Sequence, residues 1–133
     1  MTIEDALADG KIRIVAKNKA RARSLIKAAE ESLEVIKEIP VHQKSSKTIL
    51  RDLYECLRQT AEAKAFEHGY KSETHESLTE IIRDVLRKPK IALSFDKLRR
   101  LRNGINYYGD DVDIETVKHY LEEVPKMMKE INQ

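Results

Sequence analysis

The sequence predicts an all-α, mostly antiparallel bundle of about five helices. Three observations predict it. Apolar residues recur at three- and four-residue intervals nearly everywhere, and no window alternates with period two for long enough to make a strand. Only four glycines and three prolines occur in 133 residues, too few for a turn-rich sandwich or barrel. With no Trp and 5% aromatic residues, the core must be built from Leu, Ile, Val and Ala. A chain of this length buries a core without staples, and it reads as one domain over residues 1–133 with a core at about 14–131.

The elements follow in order. A short opening helix, Ile3 to Ala8, follows a Thr2 cap and stops at Gly10. The first long helix runs from about Ile14 to Ile39, with the stripe Ala22, Leu25/Ile26, Ala29, Leu33, Ile36, and Pro40 ends it. The second starts near Ser45 or Ser46, both good N-caps, and carries Leu50, Leu53/Tyr54, Leu57, Ala61 and Ala65. Gly69 closes it. The third begins after Ser72 or Thr74, carries Leu78, Ile81/Ile82 and Val85/Leu86, and ends before Pro89. Ser94 is the candidate cap of the fourth, where Leu98, Leu101, Ile105 and Tyr108 mark one face and Gly109 breaks it. Asp113 caps the fifth, whose stripe is Val117, Tyr120/Leu121, Val124, Met127/Met128 and Ile131. Pro125 inside that stripe predicts a kink or a break. Met127 and Met128 read as core rather than as a partner-binding stripe.

The single cysteine, Cys56, cannot form an internal disulfide. Nothing resembles a signal peptide or a membrane-spanning run, so no membrane association and a cytoplasmic location are expected. Cys56 lies between Leu53 and Leu57 and reads as a small buried side chain. The net charge of +2 hides a division along the chain. Residues 11–27 hold seven basic residues and no acid; residues 83–102 hold eight against Asp84 and Asp96. Residues 110–123 hold six acids against Lys118. If the basic stretches meet, they make a surface for phosphate; otherwise they are solvated helix faces.

The stretch from Leu98 to Gly109 is too polar for core and too aromatic for an ordinary solvated face. On a helix Arg102, Asn106 and Gly109 share a face, Arg99 and Asn103 flank it, and Tyr107 lies four residues beyond Asn103. Gly104 costs about 1 kcal/mol relative to Ala in a helix interior. Close approach by another helix, at a dimer contact, is the expected reason. Arg102 supplies a planar fork of donors suited to phosphate. Asn103 both donates and accepts, and Tyr107 and Tyr108 offer faces on which a base can stack. Arg99, Arg102, Asn103, Tyr107 and Tyr108 together read as a nucleotide or RNA pocket. An ordinary alternative stays open, with Tyr108 in the core, Arg99 and Arg100 in solvent, and Arg102 paired with an acid of a neighbouring helix. No Gly-rich phosphate loop, paired Cys or nucleophile motif is present, and no cofactor is expected. His68 and His75 flank the turn after the second helix with only Glu67 and Glu76 beside them, and His42 sits in a loop, so no metal is expected. Either His68 or His75 could serve the site if the fold carries it to Arg102.

These residues resemble the motif of the HEPN family, the higher eukaryotes and prokaryotes nucleotide-binding domains. There an Arg, a polar residue, a few variable positions and a His lie on a late helix of a small bundle. Arg102 matches the Arg and Asn103 the polar residue, while the His position falls on Tyr107. Tyr54 to Arg58, Ala61 to Ala63, Phe66 to Tyr70 and His75 to Leu78 resemble the preceding helices, so the likeness runs from about Ala16 to Ile131. The resemblance implies a HEPN-like bundle and a homodimer whose motifs face each other across a cleft. It implies a metal-independent ribonuclease of toxin–antitoxin systems, partnered by a minimal nucleotidyltransferase. Arg102, Asn103 and Tyr107 would then be the catalytic set.

Tyr107 departs from that pattern. RNA cleavage without a metal needs a group that takes the proton of a 2′-hydroxyl. Histidine, near pKa 6.5, does this at neutral pH, whereas tyrosine near 10 is protonated. Lowering it by about three units would take about 4 kcal/mol from neighbouring charge. The tyrosine that accepts a nucleotidyl group in some members would fall on Gly109, so that role does not carry over. The expected function is nucleotide or RNA binding with ribonuclease activity weakened or lost. An active endoribonuclease toxin and a helical protein-interaction adaptor are the alternatives.

Overall fold

The computed structural model describes every residue from Met1 to Gln133. In chain order the elements are α1 (Ile3–Ala8), β1 (Ile12–Ile14), α2 (Lys19–Lys37), α3 (Gln43–His68), β2 (Tyr70–Ser72), α4 (Ser77–Glu80), α5 (Pro89–Tyr108) and α6 (Ile114–Asn132). A π-helical turn, Ile81–Val85, extends α4. The fold is an all-α bundle carrying a two-stranded ribbon at one edge. No helix is long and apolar enough to cross a membrane.

The 26-residue α3 is the axis, and α2, α5 and α6 all pack on it. Its buried positions, Ile49, Leu50, Leu53, Tyr54, Leu57, Ala61 and Ala65, recur every three or four residues and circle much of the helix. Each buried leucine contributes about 1.5–3 kcal/mol relative to an exposed one. Cys56, Met127 and Met128 all belong to this core. The helix ends where Gly69 turns left-handed at φ +86°. A Cβ there would stand 3.1 Å from the Val15 carbonyl oxygen, so glycine also lets β1 pass close by.

Several local expectations give way to tertiary contacts. Ile14 does not open α2; residues 12–14 pair antiparallel with β2, Ile12 opposite Ser72, Arg13 opposite Lys71 and Ile14 opposite Tyr70. Three-residue strands are too short to show a period, and the pairing joins segments nearly sixty residues apart. The Asn18 side chain then caps α2 through the Arg21 N–H at 3.0 Å. His42, not Ser45 or Ser46, precedes α3; the Ser45 hydroxyl accepts the His42 N–H from inside the first turn, at 3.0 Å. Ser94 does not cap α5, because Pro89, with its fixed φ, already begins the helix a turn earlier. Pro125 does not break α6, which runs unbroken to Asn132. Asp113 caps it as expected, its carboxylate accepting from the Thr116 N–H at 2.7 Å. Tyr108 does not join the core face of α5: it is 81% exposed, and Val112 from the returning loop is buried instead.

Candidate functional site

The second half of α5 lies against α3 and the loop before α4. The Arg102 guanidinium sits over the Tyr54 ring of α3, 5.2 Å from its centroid. Phe95, two turns back on α5, stacks on the same tyrosine at 5.4 Å. The His75 ring lies 5.7 Å from Tyr54, and its Nδ1 is 2.9 Å from the phenol oxygen. The bundle therefore brings His75, not His68, to Arg102. His68 stays exposed at the end of α3, its Nδ1–H donating to the Lys64 carbonyl. Of these, His75 was a sequence candidate and Tyr54 was not; only an aromatic on the α3 face toward α5 would have pointed to Tyr54.

The arginines divide by partner. Arg58 of α3 is held by Glu55 and by Glu62, the latter at 2.6 Å. Arg99 pairs with Asp96 at 2.8 Å, and exposed Arg100 reaches the same carboxylate at 3.0 Å. Arg102 forms no ion pair and is the only half-buried arginine without one. Its single hydrogen bond runs from Nη1 to the Asn103 Oδ1, at 3.0 Å. The ordinary alternative thus holds for Arg99 and Arg100 only in part, and fails for Arg102 and Tyr108.

The hydrogen-bond roles follow from chemistry. Arginine only donates, so the Asn103 oxygen faces it and the Asn103 NH₂ is left as a donor. Burial pushes the Tyr54 phenol up to about 12, against the lowering effect of Arg102 and Arg58. Tyr54 is therefore protonated, and His75 is the one acceptor its buried O–H has. That fixes the His75 proton on Nε2. Burial first, then the charges of Arg58 and Arg102, hold the His75 imidazole below its ordinary range. The cluster around Arg102 thus offers guanidinium N–H, amide N–H and imidazole N–H groups, with no free base among them.

Tyr107 and Tyr108 are 72% and 81% exposed on the last turn of α5. Their rings are open for stacking. Gly104 is not pressed by another helix. A Cβ there would meet the Asp110 Oδ2 at 2.6 Å, in the loop that leaves α5. The Asp110 N–H returns to the Gly104 carbonyl at 3.1 Å, which folds that loop onto the helix. Within the chain, the close approach at Gly104 comes from Asp110 and not from a neighbouring helix.

A cavity of about 310 Å³ between α2 and α3 is lined by Val35, Ile36, Ile39, Asp52 and Glu55 among others. Two carboxylates and no cation make it unsuited to phosphate. The two basic stretches do not form one patch: α2 and α5 each pack on α3, which carries Arg58 and Glu62 on the way between them. No protein-family model, curated protein or solved structure matches the chain.

Proposed function

We propose that the protein binds nucleotide or RNA phosphate at Arg102 and does not cleave it. One observation carries this reading: a half-buried guanidinium, seated on Tyr54, has no carboxylate partner in a chain where its neighbours Arg58 and Arg99 do. A partly desolvated cation of this kind gains from an anion at low reorganisation cost, because the ring already orients it. Asn103 and His75 add donors, and the exposed Tyr107 and Tyr108 add stacking faces for bases. The same geometry argues against catalysis. Tyr107 stands at the family's His position, and the His75 Nδ1 is already taken by Tyr54. The resemblance to the HEPN family is the support for a cytoplasmic homodimer partnered by a minimal nucleotidyltransferase.

Fluorescence anisotropy with a labelled RNA in EDTA tests the reading. The intact protein should bind, Arg102→Ala should weaken binding by about tenfold or more, and the RNA should remain whole. Wild-type binding that ignores Arg102→Ala would overturn it. Cleavage lost in Arg102→Ala would establish the endoribonuclease instead. A protein that neither binds nor cleaves would be read as an adaptor.

A further inference from the structure

The 310 Å³ cavity between α2 and α3 is a groove that no other element covers. Its lining comes from residues 32, 35, 36 and 39 at the end of α2 and residues 52, 55, 56 and 59 of α3. Each set falls at i, i+3, i+4 and i+7, so the groove follows both helices for about two turns, roughly 10 Å. Ile36 and Cys56 are buried in its floor, whereas Val35 stands 62% exposed at its rim. The packing of α6 does not close it, because α6 meets α2 and α3 at Ile26, Leu33 and Thr60, on another side. An exposed valine beside an open apolar floor is surface that a third helix can bury.

The charge around this groove has one sign. Asp52 and Glu55 line it, and no Lys or Arg does. On α2 the acids Glu31, Glu34 and Glu38 flank Val35 against Lys37 alone, which Glu34 already holds at 3.4 Å. Glu55 is held by Arg58, but Asp52 has no ion pair and no side-chain hydrogen bond. Partial burial, opposed by Arg51 and aided by Glu55, raises the Asp52 carboxyl above its ordinary value. This carboxylate loses water without gaining a cation, a cost that an incoming ammonium or guanidinium removes.

We infer that the groove docks a basic amphipathic helix of a partner protein, with apolar side chains over Val35 and Ile36 and a Lys or Arg at Asp52. The spacing of the lining selects a helix, whose own anchors recur at the same intervals. The charge of the rim selects a basic one and rejects an acidic one. This surface is separate from Arg102 and does not rest on the reading of that site.

The test uses the full chain and two fluorescein-labelled peptides, each about four helical turns long. Both carry leucines at i, i+3, i+4 and i+7; one has lysines at the other positions and one has glutamates. Anisotropy at about 0.15 M salt should show the lysine peptide binding and the glutamate peptide not. Val35→Lys, at an exposed helix position, should weaken the lysine peptide by about tenfold or more, and Asp52→Asn by about three- to tenfold. Arg102→Ala should leave it unchanged. If circular dichroism shows that Val35→Lys perturbs the fold, Ser32→Lys at the exposed neighbouring position carries the test with the same expected loss. No binding of the lysine peptide, equal binding of both peptides, or binding indifferent to the groove variants would overturn the inference. Sedimentation of the protein alone covers the other occupant: self-association abolished by Val35→Lys would give the groove to a second copy and overturn the partner helix.

Discussion

Replacing Gly104 with alanine should stabilise the protein. In the interior of α5, alanine regains about 1 kcal/mol of helix propensity over glycine. The new Cβ would stand 2.6 Å from the Asp110 Oδ2, but 3.4 Å from Cγ and 3.7 Å from Cβ of that residue. Only the carboxylate is too close. Asp110 is exposed and its side chain makes no ion pair or hydrogen bond, so rotation of the carboxylate relieves the clash. The backbone bonds that fold the loop back, Asp110 N–H to Gly104 and Gly109 N–H to Ile105, are not disturbed. The net gain should be about 0.5–1 kcal/mol, a rise in Tm of about 2–5 °C for a chain of this size. Urea unfolding followed by circular dichroism measures it, with Asp110→Ala as the second arm of a double-mutant cycle. In the Asp110→Ala background the gain should approach the full propensity difference. Destabilisation in both backgrounds would refute the reasoning. If that loss also varied with protein concentration, Gly104 would belong to a contact between copies.

Three further outcomes follow from the core around Tyr54 and from the end of α3. His75 has a folded-state pKa below its unfolded value, so the unfolded chain protonates first as pH falls. Its contribution to stability is complete above about pH 6.5 and is lost as pH drops through the folded value, with a slope no steeper than about 1.4 kcal/mol per pH unit. His75→Gln should flatten the loss that begins below about pH 6.5, and an unchanged slope in urea titrations would place its origin elsewhere. Cys56 is buried, and its thiol is pushed up to about 11, chiefly by burial. It should not react with Ellman's reagent in the native protein and should react once the chain is unfolded in urea; rapid native labelling would show that α3 opens there. Gly69→Ala should cost about 1–3 kcal/mol, because the position has φ +86° and a Cβ would stand 3.1 Å from the Val15 carbonyl oxygen. A neutral result by thermal melting would mean that the ribbon shifts to admit it.

Helix number and order follow from local rules, and those rules act within a few residues. Thr2, Asp113, Gly69 and Gly109 each end or begin an element by a bond or a backbone turn inside one helical turn, so each is visible in the sequence. The apolar spacing of α3 and α6 marks their buried faces for the same reason. Arg102 and Asn103 stand out because they are polar and adjacent within an otherwise amphipathic helix.

Contacts between distant segments decided the rest. The pairing of Ile14 with Tyr70 turned the expected start of a helix into the end of a strand. The loop at Asp110 gave Gly104 its reason, which no pattern within α5 contains. Asp96 lies one turn before Arg99 on the same helix, so that pairing is local, whereas the seat of Arg102 on Tyr54 belongs to a second helix and only the assembled bundle shows it. Periodicity tells which side of a helix turns inward; only the assembled bundle tells which side chain waits there.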